Sequence, residues 1–242
     1  MSLPAEYRAR CIGAAAHAAL HGRALARVFA AFERSFYVET SSGIACIGGP
    51  AIGRGPLNVV IGEAGPIPAP GAAVSVDIAS AMHWIPSTEL NPFPPIPEKL
   101  LRELDRKWRQ NRPALAFLDW LTIDEAPAPH AANALIGLGA GLTPSGDDFV
   151  GGALIALRAA GQVALADRAA AWALVLAENG TNRISRAHLR CAAAGQGHEA
   201  LHDLLAALKD GERAIARAMQ ALDRVGHSSG RDAAAGALLA LS

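Results

Sequence analysis

The sequence predicts an α+β fold, with an N-terminal β-rich module that resembles a small barrel and a C-terminal antiparallel α-helical bundle. Short runs rich in β-branched and aromatic residues fill much of the first third of the chain, whereas helical patterns dominate after residue 98. A proline-rich connector, Pro86 to Pro97, separates the two textures. We therefore expect two domains: residues 1–97, which include a leading helix and the connector, and residues 98–242.

Four short strands are predicted within the N-terminal module. Gly, Pro and Ser clusters separate them at intervals of roughly 10–15 residues, which is typical of a small antiparallel sheet or barrel. The predicted strands are Phe36–Glu39, Ile44–Ile47, Leu57–Ile61 and Ala73–Ile78. Ahead of them, the alanine-rich stretch 5–32 predicts one or two helices that break near Gly22, because alanine has the highest helix propensity.

The connector contains prolines at positions 86, 92, 94, 95 and 97 and cannot be helical. Beyond it, apolar residues recur at helical spacing, and short glycine-containing links favour antiparallel packing of neighbouring helices. The predicted helices are Glu98–Gln110, Pro113–Leu121, Asp147–Ala160, Ala164–Glu178, Ser185–Ala194, His198–Leu208, Glu212–Val225 and Arg231–Leu241.

The composition argues against several classes of function. Lys and Arg number 22, as do Asp and Glu, so the chain lacks the basic excess that backbone-driven nucleic-acid binding requires. No apolar stretch reaches the ~18 uncharged residues of a membrane span, and charges occupy the place of an export signal's apolar region. Cys11, Cys46 and Cys191 are odd in number and far apart, which favours a reducing compartment. We expect a cytoplasmic protein with no nucleic-acid or membrane partner, and leave a homo-oligomer open.

Two helix starts share an internal repeat. Ser145–Leu157 and Ser229–Leu241 are identical at about eight of thirteen positions, at a constant offset of about 84 residues. Hydroxyls at positions 143 or 145, and 228 or 229, are expected to cap helix amides, while Asp148 and Asp232 fall in the first turns, where the helix dipole favours carboxylates. A glycine midway along each copy leaves a face of small residues. We therefore expect the two helices to cross closely and to bring both N-termini into one cleft.

Both turns form a candidate anion cradle, because amides at a helix start attract negative charge. No lysine follows the glycines, so the pattern is not a Walker A loop. The candidate anion-binding residues are Gly139, Gly141, Thr143, Ser145 and Gly146 in the first turn and Ser228, Ser229 and Gly230 in the second. The adjacent Asp147 and Asp148 would repel an anion, so we expect them to hold a cation such as Mg²⁺ or the N–H-bearing end of a ligand. Alternatively, each turn is only a capped helix start.

A third helix start and one histidine extend this set. Thr181, Arg183 and Ser185 can supply further anion contacts, although a serine-capped helix with solvated arginines explains them equally well. His227 immediately precedes the second turn, where it can polarise a carbonyl or protonate a leaving group. We therefore regard Asp147, Asp148 and His227 as the candidate catalytic residues.

The segment from His198 to His202 matches the H-E-x-x-H signature of zinc peptidases. Against that interpretation, glycines directly precede His198 and place it at the first turn of a helix, and no third ligand stands at a standard spacing. Plain surface histidines are the alternative, and we otherwise expect no metal site.

Three strings together resemble one family. They are Gly137–Phe149, which reads GLGAGLTPSGDDF, Thr181–Arg190 and Gly226–Gly230. They resemble the family that includes the AllH subunit of oxamate carbamoyltransferase. The resemblance implies carbamoyl transfer between carbamoyl phosphate and an amide such as oxamate in ureide or purine breakdown. It also implies an FdrA-like protein and a further carbamoyltransferase subunit as partners.

Carbamoyl phosphate has an anionic end and an N–H-bearing end, like the ligand inferred from the residues. In this interpretation the turn at 139–146 holds phosphate, Asp147 and Asp148 hold the carbamoyl NH₂ or Mg²⁺, and His227 and Ser229 contact the carbonyl or the second substrate. Catalysis would then depend on positioning and charge stabilisation. Two alternatives remain: a non-catalytic scaffold subunit of the same complex, and a zinc hydrolase that uses His198 and His202.

Overall fold

The computed structural model describes residues 4–21, 23–63, 65–86, 89–90, 94–104, 106–123 and 126–242. Gly22 and Pro92 therefore lie outside the described residues. The chain divides into two compact units, Met1–Pro86 and Ser87–Ser242. The first unit is built mainly of strands and the second of helices, so the predicted α+β fold is confirmed.

A closed barrel forms the first unit. Its strands are β1 (Ala5–Gly13), β2 (Arg23–Ala31), β3 (Ser35–Thr40), β4 (Gly43–Gly48), β5 (Asn58–Ile61) and β6 (Ala73–Asp77), with β7 (Met82–Trp84) beside β1. The order β5-β4-β3-β2-β6-β1 closes through pairing of β1 with β5. Pairing is parallel for β1 with β6 and for β4 with β5, and antiparallel for β1 with β5. The four strands predicted from sequence correspond to β3, β4, β5 and β6.

The helices predicted over 5–32 are wrong for most of that stretch, which forms β1, a short helix α1 (Ala14–Leu20) and β2. In β1, buried Tyr7 and Ala9 alternate with exposed Glu6 and Arg8. This period of two places one face of the strand in the barrel core, and the burial overrides the helix propensity of the alanines.

The second unit is helical, as predicted. Its helices are α2 (Glu98–Glu103), α3 (Arg106–Arg109), α4 (Arg112–Leu121), α5 (Ser145–Ala159), α6 (Val163–Gly180), α7 (Arg183–Ala193), α8 (Glu199–Ala207), α9 (Glu212–Leu222) and α10 (Ser229–Leu239). Short 3-10 segments cover Pro50–Ile52 in the barrel and His130–Leu135 ahead of α5. None of the helices in the described part of the chain has the length and apolar character that crossing a membrane requires.

Helices α5 and α10 cross at their glycines, as the repeat predicts. A Cβ on Gly152 would lie 1.9 Å from the carbonyl oxygen of Ala233, and a Cβ on Gly236 would lie 1.8 Å from that of Phe149. Ala233 and Phe149 occupy the same position in the two copies of the repeat, so the two contacts are reciprocal. Only glycine allows the backbones to approach this closely.

Candidate functional site

Three helix N-termini converge on the glycine loop 137–144. At the start of α10, Ser229 Oγ lies 2.9 Å from Thr143 Oγ1, which belongs to the loop. At the start of α7, Asn182 Nδ2 donates to the carbonyl of Leu142 at 2.9 Å. The loop itself leads into α5. The positive ends of three helix dipoles therefore meet around one loop.

Glycine gives the loop its shape. Gly137, Gly139 and Gly141 have φ values of 79°, 109° and 104°, in the left-handed region that residues with a Cβ rarely adopt. A Cβ on Gly139 would also lie 3.0 Å from the amide nitrogen of Ser145. Around Gly141 the space is open, and residues 139–142 are exposed. The loop is thus held at its ends and exposed in its middle.

The Asp147 carboxylate connects the loop to α7. Its Oδ1 accepts from the Gly137 amide at 2.7 Å, and its Oδ2 accepts from the hydroxyls of Thr181 and Ser185, the latter at 2.6 Å. Asp147 and Ser185 are both buried. Both carboxylate oxygens thus already have protein donors, which gives Asp147 a structural task at this position.

The neighbouring Asp148 is different. The Ser229 and Thr143 side chains hydrogen-bond to it, but its Oδ2 is buried and meets no hydrogen-bond partner among the described residues. Burial, the largest cause, raises the pKa of Asp148 to about 8 together with the charges of Asp232 and Asp147, while the hydroxyl hydrogen bonds act in the opposite direction.

Asp232, the repeat counterpart of Asp148, is also buried. Its Oδ1 accepts from Trp108 Nε1 at 2.8 Å and lies 2.7 Å from Lys107 Nζ. Its Oδ2, like that of Asp148, has no partner in the part of the chain that the structure describes. The Lys107 side chain is 41% exposed, so this ion pair is only partly buried.

Gly146 and Gly230 pack against backbone. A Cβ on Gly146 would lie 1.9 Å from the carbonyl oxygen of Leu135, and one on Gly230 would lie 2.1 Å from that of Leu222. The amide of Gly146 donates to Leu138, and that of Gly230 donates to Val225. These predicted anion ligands therefore fix each turn against the segment that precedes it.

The predicted capping arrangement is wrong. Pro144 occupies the N-cap position of α5, and Ser228 that of α10, and neither makes a side-chain capping hydrogen bond. The hydroxyls of Thr143 and Ser229 bond instead to each other and to Asp148. The half-buried Ser145 is the first residue of α5.

Arg183 and His227 are exposed, one at the start of α7 and the other in the turn before α10. Sequence reasoning missed Lys107 and Trp108, because they lie more than a hundred residues before Asp232 and follow no motif. It also left Asn182 without a role, although an asparagine ahead of a helical pattern is a recognised N-cap signal, and its Oδ1 accepts from the amides of Ile184 and Ser185.

The two histidines of the H-E-x-x-H segment are already engaged. His198 caps α8, and its Nδ1 accepts from the Ala200 amide at 3.2 Å, while His202 Nε2 accepts from the Gly197 amide at 3.1 Å. Burial, with a smaller contribution from His198, lowers the pKa of His202 to about 4. Within the described ranges, no three His, Cys, Asp or Glu side chains are grouped so that they could hold a metal ion. The zinc interpretation gains no support from this geometry.

The chain is an α+β protein whose helical unit is built around an internal repeat and a glycine loop. Residues 135–241 match the family described as oxamate carbamoyltransferase subunit AllH. The matched segment contains the loop, the three helix starts and both copies of the repeat, and the resemblance seen in the motifs is confirmed over these residues. Neither the curated proteins nor the solved structures gave a match.

Proposed function

We propose that this chain is a subunit of a carbamoyltransferase-type complex and binds a carbamoyl phosphate-like ligand at the paired N-termini of α5 and α10. The observation that carries the proposal is the convergence of three helix N-termini on one exposed glycine loop, within the segment that matches the AllH family. The pathway in which it acts is the breakdown of ureides or purines, as the family resemblance implies.

The phosphate end of the ligand belongs at the outer side of the loop. The chain has no net charge, so an anion must be attracted locally rather than by a general positive field. The dipoles of α5, α7 and α10 supply such a local field, and the exposed Arg183 stands at the start of α7. Gly139 and Gly141 leave backbone exposed where a phosphate would approach.

The N–H-bearing end belongs near Thr143 and Ser229. These half-buried hydroxyls meet between the two helix starts and cover Asp148, whose Oδ2 has no protein partner in the described chain. Asp148 suits this role better than Asp147, whose oxygens both accept hydrogen bonds from protein groups. A Mg²⁺ ion at Asp147 would have to displace those donors. In this proposal His227, which lies in the turn before α10, contacts the second substrate.

Partner subunits complete the site in this proposal. Leu138 and Leu142 are apolar residues of the loop with 36% and 39% of their surface exposed, and a partner that covers them would also exclude water from the ligand. An FdrA-like protein and a further carbamoyltransferase subunit are the partners implied by the family resemblance.

A thermal-shift titration tests the proposal. Carbamoyl phosphate and inorganic phosphate should each raise the unfolding temperature of the chain, alone or with its partner subunits, because a ligand that binds only the folded state stabilises it. The Ser229→Ala variant should weaken this effect. Thr122→Val is a matched control, since among the described residues the Thr122 hydroxyl bonds to the carbonyl of Asp119 at the end of α4 and to no other group.

A scaffold role is the second candidate. It is favoured by the structural tasks of Gly146, Gly152, Gly230 and Gly236, which allow close packing, and of Asp147, which joins the loop to α7. If neither anion stabilises the chain or the reconstituted complex, and Ser229→Ala leaves transferase activity unchanged, the scaffold function replaces the first proposal.

A further inference from the structure

A cleft in the helical unit, which we call the α2–α9 cleft, lies between residues 97–100 and residues 212–219, with Arg231 of α10 beside them. Its volume is about 460 Å³, within the range of pockets that hold small organic molecules. It shares no lining residue with the glycine loop 137–144 or with the Thr143 and Ser229 hydroxyl pair. The cleft is therefore a second concave site, to which the proposed function assigns no role.

Apolar side chains form the floor of the α2–α9 cleft. Leu100 of α2 and Ile215 of α9 are both buried and belong to the core of the helical unit. Met219, one turn after Ile215, is half-buried, and the neighbouring Ala216 is exposed. The apolar surface of α9 thus continues beyond the part that the core covers. A ligand with an apolar body would gain free energy by displacing water from this floor.

Basic side chains outnumber acidic ones around the floor. The charged lining residues are Lys99, Arg213, Arg231 and Glu212. Arg231 already pairs with Asp223, whereas Arg213 is exposed and forms no ion pair within the described part of the chain. Glu212 is the first residue of α9, where the helix dipole favours a carboxylate. The whole chain has no net charge, so this excess of positive charge is local to the cleft.

The dimensions of the floor favour a small ligand over a protein segment. On α9 the buried and half-buried floor residues, Ile215 and Met219, span a single helical turn. A docked amphipathic helix needs apolar anchors over at least two turns. Arg213 and Met219 are six residues apart, which corresponds to about 9 Å along the helix axis. An unbranched carboxylate of medium chain length can span such a distance between a cation and an apolar surface.

We infer that the α2–α9 cleft binds a small amphipathic organic anion. The carboxylate head contacts Arg213, whose guanidinium presents paired N–H donors that match a carboxylate. The apolar body lies on Leu100, Ile215 and Met219. Lys99 adds positive charge at the rim without having to leave its present contacts.

NMR of protein labelled with ¹³C at the methionine methyl groups tests this inference. Met219 lies in the cleft, whereas Met82 lies in the barrel unit with 55% of its surface exposed and serves as an internal control for nonspecific apolar association. Octanoate should shift the Met219 resonance saturably and leave that of Met82 unchanged. Octan-1-ol lacks the charge and acetate lacks the apolar body. Each should bind at least about tenfold more weakly than octanoate, because it loses one of the two contributions.

Variants on α9 locate the two parts of the ligand. Arg213→Gln should raise the Kd for octanoate about tenfold, because a charge-assisted hydrogen bond is lost. Arg217→Gln is the matched control, since Arg217 is also exposed, lies one turn further along α9 and does not line the cleft. It should leave the Kd unchanged. Ala216→Trp should abolish binding by filling the cleft, and it should still fold because Ala216 is exposed.

Three results would overturn the inference. Octan-1-ol that binds as tightly as octanoate would show that the cleft does not recognise the charge. Equal increases of the Kd in Arg213→Gln and Arg217→Gln would indicate general attraction instead of a contact. A Met219 resonance that ignores octanoate and moves only when partner subunits are added would make the cleft a protein-docking groove. These measurements use neither carbamoyl phosphate nor a variant of the glycine loop, so their failure is distinguishable from failure of the proposed function.

Discussion

The two copies of the repeat begin alike and differ in how their turns are anchored. In both, a glycine of the first turn packs on a preceding carbonyl, and a second glycine lies at the crossing. In both, one aspartate oxygen also has no hydrogen-bond partner among the residues that the structure describes. At the position before that aspartate, α5 has the buried Asp147 and α10 has the exposed Arg231. Asp147 joins its turn to the loop and to α7, whereas Arg231 pairs with Asp223 at the end of α9.

This difference shows which parts of the repeat serve the crossing and which serve the site. The shared glycines are required wherever two backbones meet this closely. The residue that differs determines which neighbouring segment each turn is bonded to. Asp147 joins the α5 turn to the start of α7, whereas Arg231 joins the α10 turn to the end of α9. Substitutions at matched positions of the two copies should therefore lower the unfolding free energy equally at the crossing and unequally at the turns.

The largest effect is expected at the crossing glycines. Gly152→Ala and Gly236→Ala should each cost about 3 kcal/mol or more of unfolding free energy, because the new methyl would collide with a backbone carbonyl. The adjacent Gly151→Ala is the control. Its Cβ would make an ordinary contact 3.6 Å from that of Ala192, and it should be neutral or stabilise by up to about 1 kcal/mol. Urea denaturation compares them, and similar values for Gly151→Ala and Gly152→Ala would refute the close crossing.

The second prediction compares substitutions at the position where the two turns differ, Asp147 in α5 and Arg231 in α10. Asp147→Ala should destabilise the protein by about 3 kcal/mol, because it leaves a backbone amide and two hydroxyls without their acceptor. Arg231→Ala should cost less than about 1 kcal/mol, since the ion pair with Asp223 that it removes lies at the surface. Equal losses in denaturant unfolding would show that the two turns are anchored to the same extent.

The third expected effect concerns pH. The pKa of Asp148 is about 8 in the folded chain and 3.8 as its reference value, so the folded state binds the extra proton between these values. Unfolding free energy should therefore fall by a few kcal/mol as pH rises from 4 to 8 on account of this group. His188 and His202, with pKa values lowered to about 4, act in the opposite direction between pH 4 and 6.5.

The difference between wild type and Asp148→Asn, measured by denaturation at several pH values, isolates the Asp148 contribution. The variant should gain stability relative to wild type as pH rises toward 8. Parallel pH profiles of the two proteins would contradict the raised pKa.

The smallest effect is expected where the two turns touch. A double-mutant cycle of Thr143→Val and Ser229→Ala should give a coupling free energy of about 1 kcal/mol, the usual contribution of one hydrogen bond. Additive losses would mean that the hydroxyls act separately, each through Asp148.

Much of the fold follows from the sequence because its signals are local. The strands β3 to β6 are short, apolar and bounded by glycine and proline, and the helices after residue 98 show regular spacing. The repeat predicted the crossing, because a glycine at the same position of both copies allows the two helices to pack closely against each other. β1 and β2 were missed because alanine favours helices locally, whereas their partners in the barrel lie far along the chain.

The site was predictable only in part, for the same reason. The glycine loop, Thr143, Ser229 and Asp148 are close in sequence to recognisable helix starts. That Asp147 would be satisfied by Thr181 and Ser185, and that Lys107 would reach Asp232, depends on how distant helices pack. No spacing rule predicts such contacts. The sequence therefore could not distinguish Asp147, whose oxygens both accept hydrogen bonds, from Asp148, whose Oδ2 has no partner in the described part of the chain.

The closure of the barrel has a consequence for how the chain folds. β1 lies between β5 and β6, so Ala9 pairs with Ile61 and Tyr7 with Val76. A ribosome produces β1 first, yet that strand has to await the synthesis of residues some fifty to seventy positions later. Pairings this distant are slow to form, because the intervening chain must lose its freedom first. Barrel closure should thus be a late event, and a nascent chain halted before β5 would expose an incomplete sheet.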